Sequence, residues 1–252
     1  MISSGVFSTF HPPKSLRFSI IIPVYNEAEN IETVAREVKL ALSKIEGECE
    51  ALFVDDCSTD DSEQILKQLV ERDSDFRMIR HRVNSGQSAA VASGFRMARG
   101  AWVGTIDGDG QNDPADLPSM LEKAEQLGVD CVTGVRRKRK DTRLKRLSSR
   151  LANRFRDWIT GDRVSDSACG IRVVRAECTA ELPVFNGLHR FMPTLLKAQG
   201  FSVEEVDVSH RARMQGVSKY GVHNRLWRGI RDCFGIRWYV NRAVAANRID
   251  VE

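Results

Sequence analysis

The residues with the clearest chemical potential are Asp107 and Asp109, in the run Asp107-Gly108-Asp109-Gly110-Gln111 directly after the apolar stretch Trp102 to Ile106. Two carboxylates one residue apart at a strand end can both reach a hard cation such as Mg²⁺ or Mn²⁺, which keeps open positions for diphosphate oxygens. Such a cation offsets the charge that grows on a nucleoside diphosphate as it leaves. An acidic turn with flexible glycines has the same spelling, so this run does not decide alone.

A second group lies upstream, in Pro23-Val24-Tyr25-Asn26-Glu27 and in Val54-Asp55-Asp56-Cys57-Ser58-Thr59-Asp60. A Tyr face can stack on a nucleobase, and carboxylates at the next strand end can accept hydrogen bonds from base N–H groups or ribose hydroxyls. Asn26 and Glu27 equally suit the start of a helix, and Asp60 the start of the next. Neither loop is a glycine-rich phosphate cradle, which disfavours a P-loop or dinucleotide fingerprint and leaves the diphosphate to the metal.

The elements that must position these groups follow from hydrophobic periodicity. Phe18 to Val24 is a β-branched run, and Ile31, Val34, Val38 and Leu42 recur at helical spacing within Ala28 to Ile45. The pattern repeats as a strand at Glu50 to Val54 and a helix carrying Ile65, Leu66, Leu69 and Val70. It repeats again as a strand at Phe76 to Arg80, a helix at Ser88 to Ala98 and a strand at Ala101 to Ile106. Serial strand–helix units predict a single α/β domain of Rossmann-like type, a doubly wound, mostly parallel sheet with flanking helices. Ligands of such sheets bind beyond the carboxyl ends of the strands, here Tyr25 to Asn30, Asp55 to Asp61, Arg82 to Gln87 and Asp107 to Asp113. Further on the sequence predicts a strand at Val129 to Val135, a basic run to Arg156 and a weakly patterned segment around Asp166 to Gly170. A helix near Phe191 to Ala198, a strand at Ser202 to Val208 and a helical tail from Val222 complete the chain.

With 252 residues and 42% hydrophobic content the chain suffices for one large domain, and 38 Lys plus Arg against 34 Asp plus Glu favour no partner by themselves. Six cysteines without a C-x-x-C pair indicate neither a zinc knuckle nor a disulfide framework and fit a reducing cytoplasm. Met1 to Lys14 lacks the apolar region of a signal peptide, and no window approaches the roughly 18 apolar residues of a membrane span. Membrane association is therefore expected to be peripheral. The expected division is a flexible extension over 1–17, a catalytic domain over 18–221 and an amphipathic helical tail over 222–252.

P-V-Y-N-E, V-D-D-x-S-T-D, N-x-G-Q (Asn84 to Gln87) and D-G-D-G-Q occur in order at successive strand ends, and in this they resemble the family 2 glycosyltransferases of the GT-A fold. The likeness continues through Asp166-Ser-Ala-Cys-Gly-Ile-Arg172, Gly187-Leu-His-Arg-Phe-Met-Pro193 and the segment from His210 through Arg213, Gly216 and Ser218 to Lys219-Tyr220. These later segments are similar to the dolichyl- and undecaprenyl-phosphate sugar transferases, and the resemblance runs from about Phe18 to Arg242. It implies that Pro23, Tyr25, Glu27 and Asp56 contact the nucleoside and that Asn84 and Gln87 belong to the donor site. It also implies that Asp107, Asp109 and Gln111 surround a Mg²⁺ or Mn²⁺ ion and a UDP- or GDP-sugar. Gly110, where that branch more often has a larger apolar residue, and Cys169, where Ser or Thr is commoner, depart from the pattern.

Transfer to a hydroxyl requires a general base, in this family usually the Asp of a Glu-Asp pair, and no Glu-Asp dipeptide occurs in the chain. The Q-x-x-R-W motif of processive polysaccharide synthases is also missing. A phosphate monoester has a second pKa of about 6 and is already largely ionised near neutrality, so it needs cations and no base. From Arg136 to Arg156 there are eleven Lys or Arg against the single acid Asp141, and Arg211, Arg213 and Lys219 form a second group. Arg136, Arg150, Arg213 and Lys219 are the candidates for holding an acceptor phosphate; most of the run reads equally as a solvated helix face. No base-reading motif accompanies it, so nucleic acid is not an expected partner. His189 reads more readily as a packing or capping residue than as a catalytic one. The tail interleaves Leu226, Trp227, Ile230, Cys233, Phe234 and Trp238 with Arg225, Arg228, Arg231 and Arg237. This suits an interfacial membrane helix and equally a helix packed on the catalytic domain or a second subunit.

The sequence thus predicts inverting, in-line transfer of a hexose from a nucleotide sugar to a polyprenyl phosphate at the cytoplasmic face of a membrane. Asp107 and Asp109 would serve the donor side, and Arg136, Arg213 and Lys219 the phosphates. Two alternatives stay open: transfer to a saccharide or protein hydroxyl with Asp166 as base, and a non-catalytic nucleotide-sugar-binding or membrane scaffold protein.

Overall fold

The computed structural model describes residues 15–136, 156–162, 164–167, 169–180, 182–211 and 222–243, with side chains in the last stretch from Gly229 onward. The first half is β1 (Leu16–Val24), α1 (Ala28–Leu42), β2 (Cys49–Asp55), α2 (Ser62–Arg72), β3 (Phe76–Arg80), α3 (Gln87–Met97) and β4 (Gly100–Thr105). The second half comprises α4 (Leu117–Leu127), β5 (Cys131–Val135), β6 (Arg172–Arg175), α5 (Leu188–Ala198), β7 (Val203–Asp207) and α6 (Val222–Val240), with a helical turn at 156–160. The strands form one seven-stranded sheet in the order β3-β2-β1-β4-β6-β5-β7. All neighbours run parallel except β6, which is antiparallel to both β4 and β5.

Alternation along the central strands builds two cores. Phe18, Ile20, Ile22 and Val24 of β1 join Ala51 and Phe53 of β2 on the face covered by α1, α2 and α4. Ile21, Leu52 and Val54 point the other way, against Val91 and Phe95 of α3 and Leu195 and Leu196 of α5. Both faces are dry, which is why these strands read as continuous apolar runs. Burial of each such side chain is worth roughly 1.5–3 kcal/mol relative to exposure.

The anticipated strand–helix units are present. α1 ends at Leu42, three residues short of the expected Ile45, because Lys44 and Ile45 donate to the carbonyls of Ala41 and Leu42 in a tightened turn that still buries Ile45. Two elements were not anticipated. α4 carries Leu117, Met120, Leu121 and Ala124 at helical spacing and stops at Gly128, whose φ of 64° suits a left-handed cap. β6 is a four-residue strand within the weakly patterned region, and its register places Arg172 opposite Thr105 of β4 and Thr133 of β5. Because β6 runs antiparallel, it enters the sheet at the edge where β4 and β5 leave it.

Candidate active site

That edge gathers the loops picked out from the sequence. Asp56 N–H donates to the carbonyl of Val24 (2.8 Å), and Asn26 N–H donates to the hydroxyl of Ser58 (2.9 Å), so the loops after β1 and β2 are knitted together. Asn26 sits at φ 52°, and its side-chain oxygen accepts the Thr59 N–H at 2.7 Å. Cys57 also takes a left-handed conformation, at φ 62°. Asp60 serves two helices: its carboxylate accepts the N–H of Ala28 (3.2 Å), the first residue of α1, and of Ser62 (3.0 Å), the first of α2. Burial pushes Asp60 up, but the Ser62 and Ala28 hydrogen bonds outweigh it and hold the carboxyl below its usual range.

Asp56 is buried, and its carboxylate is engaged by its own chain. One oxygen accepts the Ser85 N–H (2.8 Å) and faces Nδ1 of His81 (2.7 Å); the other accepts the Gly86 N–H (2.6 Å). His81 Nε2 lies 2.9 Å from the Ser93 hydroxyl of α3. Asn84 donates its amide to the Asp56 carbonyl at 3.3 Å. Through these bonds Asp56 and His81 drape the 84–86 loop over the end of β2 and fix the start of α3. His81 was not among the sequence candidates, and a single His between a strand and a loop carries no signal for such a role.

Fixing α3 sets Gln87, whose amide donates to one oxygen of Asp107 at 2.7 Å. The Asp107 N–H donates to the side-chain oxygen of Asn112 (2.9 Å), and the Gln111 N–H to Asp109 (3.1 Å), folding the acidic run into a compact loop. Burial first, and the Asp109 carboxylate second, push Asp107 up to about 6; Arg172, Arg136 and the Gln87 hydrogen bond pull the other way. Two neighbouring carboxylates that repel each other suit a cation, which relieves the repulsion. Among the described residues no cluster of three or more His, Cys, Asp or Glu could hold a metal. The fit is to a cation that draws its other ligands from outside the protein.

On the far side of Asp107 lies the segment leading into β6. Gly170 packs so closely that a Cβ there would stand 2.2 Å from an Asp107 carboxylate oxygen, and its carbonyl accepts the Thr105 hydroxyl at 2.8 Å. Arg172 is fully buried, donates Nη2 to the Ser167 carbonyl (3.1 Å) and has no partner for Nε among the described residues. Burial pulls its guanidinium below the usual value. Arg136, just beyond β5, grips Asp166 through Nε (2.7 Å) and Nη2 (2.9 Å), and its backbone N–H also donates to Asp166 (3.2 Å).

Arg211, grouped by sequence with the phosphate cations, donates to Glu37 (2.7 Å) and Asp113 (2.6 Å), while its N–H donates to the Gln111 carbonyl (3.0 Å). It pins the chain after β7 to the acidic loop. Arg150, Arg213 and Lys219 lie outside the described residues. The structure therefore brings together Pro23, Tyr25, Glu27, Asp56, Asn84, Gln87, Asp107, Asp109, Gln111 and Arg136 at one sheet edge. His189 shares a 2.8 Å hydrogen bond with the Ser88 hydroxyl, which also accepts the Gly187 N–H (2.9 Å), tying α5 to the start of α3. On α6, Cys233 and Ile236 are buried in the second core, Phe234 and Trp238 are exposed, and Trp158 from the 156–160 turn is exposed too. Arg237 donates to the Ile159 carbonyl at 2.9 Å, and Arg242 lies 5.6 Å from the Trp238 ring centre. No helix among the described residues is long and apolar enough to cross a membrane.

The glycosyl transferase family 2 profile matches residues 19–179, which span β1 to the end of the 3₁₀ turn after β6. The chain belongs to glycosyltransferase family 2. The transferase is 33% identical over 236 residues to dodecaprenyl-phosphate galacturonate synthase of Rhizobium johnstonii, covering 92% of this chain and 70% of that protein. It is 36% identical over 210 residues to undecaprenyl-phosphate 4-deoxy-4-formamido-L-arabinose transferase of Pseudomonas syringae, covering 82% of this chain and 62% of that one. The chain thus spans under two thirds of the length of the second relative. In fold it is similar to glucosyl-3-phosphoglycerate synthase of Mycobacterium tuberculosis, solved with Mn²⁺ and UDP-glucose. That likeness has a TM-score of 0.67 at 18% identity and covers 90% of this chain and 79% of that one. It identifies the architecture as GT-A, the α/β type expected from the sequence.

Proposed function

We propose that the transferase moves a sugar from a UDP- or GDP-sugar to a polyprenyl phosphate, with inversion at the anomeric carbon. The observation that carries the donor side is the Asp107/Asp109 pair at the end of β4, with Asp107 raised to about 6 and oriented by Gln87. A bound Mg²⁺ or Mn²⁺ would be held by Asp107 and Asp109, with Gln111 alongside, and would supply charge stabilisation to the departing diphosphate. Tyr25, Glu27 and Pro23 form the wall for the nucleoside. Asp56 shapes this wall through the 84–86 loop, keeping Asn84 and Gln87 in place.

On the acceptor side, a phosphate oxygen forms the new bond to the anomeric carbon as the bond to the nucleoside diphosphate breaks, and no proton need be removed. Asp166 has its carboxylate committed to Arg136, which speaks against its use as the base for a hydroxyl acceptor. Arg136 contributes hydrogen bonds to the incoming phosphate, and Arg150, Arg213 and Lys219 supply further cations. The relatives' lipid-phosphate acceptors support this reading. Phe234, Trp238 and Trp158, flanked by Arg231, Arg237 and Arg242, would rest against an anionic bilayer on its cytoplasmic side, while the inner face of α6 stays packed on the domain. The chain divides accordingly into an extension, a catalytic domain running to 221 and a membrane-facing tail over 222–252; of the extension expected over 1–17, Leu16 and Arg17 belong instead to β1, where Leu16 pairs with Gly100.

The test is incubation with UDP- and GDP-sugars, Mg²⁺ or Mn²⁺ and a short polyprenyl phosphate, reading product mass. The expected product is the lipid phosphate plus one glycosyl unit, abolished in Asp109→Ala with the fold intact. Full activity of Asp109→Ala, or transfer only to soluble sugars, would overturn the proposal.

A further inference from the structure

The Arg136–Asp166 pair is the most heavily built contact of the site. Only 11% of the arginine side chain and 10% of the aspartate side chain reach solvent, and three N–H groups of Arg136 converge on one carboxylate. The bidentate bond uses the Nε and Nη2 side of the guanidinium. Among the described residues nothing else bonds Arg136, so the Nη1 end, with two donors, remains for another acceptor. The arginine stands at the same sheet edge as Asp107, close enough that its charge is felt there. Asp166 belongs to the segment whose other end, Gly170, packs on Asp107. One short stretch of chain thus braces both a donor-side carboxylate and an acceptor-side cation.

We propose that Asp166 is a positioning residue of the acceptor site: it clamps one edge of Arg136 so that the opposite edge is presented, already ordered, to the phosphate of the acceptor. This rests on the lipid-phosphate reading above. An arginine left unclamped on its flexible stem loses rotamer freedom each time it binds, and holding it beforehand removes that cost from acceptor binding. A base and a clamp differ in what they control. Loss of a base lowers kcat at every acceptor concentration, whereas loss of a clamp acting on ground-state binding raises the acceptor KM.

The experiment measures transfer to a short polyprenyl phosphate by wild type, Asp166→Asn, Asp166→Glu, Arg136→Gln and the Asp166→Asn/Arg136→Gln double variant, with nucleotide binding followed by calorimetry. Asp166→Asn should raise the acceptor KM roughly tenfold, with donor KM and nucleotide Kd within about twofold of wild type. Asp166→Glu should recover part of the loss. The double variant should be no worse than Arg136→Gln alone, because Asp166 acts through Arg136. Should Asp166→Asn fail to fold, Arg136→Lys keeps the charge but loses the fork and should show the same rise in acceptor KM; an unchanged KM there overturns the inference. A fall in kcat at constant acceptor KM, or additive losses in the double variant, also overturns it. Wild type that yields no lipid product refutes the acceptor reading and the inference with it, whereas active wild type with an unaffected Asp166→Asn refutes the inference alone.

Discussion

Replacing Gly170 by alanine should damage catalysis far more than folding. The added Cβ would meet an Asp107 carboxylate oxygen at 2.2 Å and its carbon at 2.5 Å. To reach even 3.0 Å the oxygen must retreat by about 0.8 Å, and Gly170 is itself held by the Thr105 hydroxyl on its carbonyl. The carboxylate is the part that can move, since it ends a side chain with rotatable bonds. Moving it strains or breaks the 2.7 Å Gln87 hydrogen bond and misplaces a metal-side oxygen by close to 1 Å, a displacement that can cost about a hundredfold in rate. The fold should lose little, because the conformation of Gly170 is open to alanine and such a substitution stiffens the unfolded chain by about 0.4–1 kcal/mol. The assay is kcat/KM for glycosyl transfer beside a thermal melt and a Mn²⁺ titration in the presence of nucleoside diphosphate. A Gly170→Ala protein with wild-type turnover and metal affinity would refute the placement of Asp107 against this segment.

Gly128→Ala should behave in the opposite way: φ is +64° and a Cβ meets nothing within 4 Å, so only backbone strain of about 1 kcal/mol is expected, read as a melting temperature lower by about 2–4 °C with unchanged turnover. Cys57→Gly, at φ 62°, should raise stability by about 0.5–1 kcal/mol, because relief of left-handed strain exceeds the entropy cost of glycine; a lower melting temperature would contradict this. Asp107 takes up a proton as pH falls through about 6, and a protonated carboxyl is a poor ligand. Metal affinity should therefore drop about tenfold per unit below that point, and a flat affinity between about pH 5 and 7 would count against it. For folding the sign reverses: with the carboxyl raised from 3.8 to about 6, ionised Asp107 burdens the folded state fully above about 6, and the burden lifts progressively as pH falls from there toward 3.8.

The donor side was legible because each of its groups follows a strand that announces itself. Ile20 to Ile22, Leu52 to Val54 and Trp102 to Val103 are apolar runs, and the polar residues after them could be assigned to one sheet edge before any geometry was known. What those residues do to one another was not legible. Asp56 looks like a free nucleoside acceptor in sequence, yet its carboxylate is wrapped by Ser85, Gly86 and His81, contacts that form only when two loops close on each other. Arg136 looked like an unpaired cation at a strand end; its partner Asp166 lies 30 residues on, and no local rule connects them. β6 escaped because four residues give too short a window for periodicity, whereas α4 had a readable signal in Leu117, Met120, Leu121 and Ala124. The tail offered a choice between packing and exposure, and the described part of α6 does both, with Ile236 inward and Trp238 outward.

The reversed strand β6 also has a consequence for how such an enzyme can be changed. Among the described residues, the parallel block from β3 to β4 and the pair β5 and β7 are joined within the sheet only through this four-residue seam. A chimaera that keeps everything up to Thr105 and imports a foreign second half would have to match this seam, with Arg172 beside Thr105, Val173 beside Gly104, Val174 beside Val103 and Arg175 beside Trp102. It would also have to match the contacts that tie the halves outside it: Ser88 with His189, Glu37 with Arg211, and two cores built from both halves. Small and β-branched residues at the middle of that border make the strand pairing itself easy to match, so the helix packing and the ion pair beside it set the limit on exchange. An imported second half would bring its own counterpart of the Asp107–Asp109 loop, and that loop would have to meet Gln87 of the retained half for the two to close around one site.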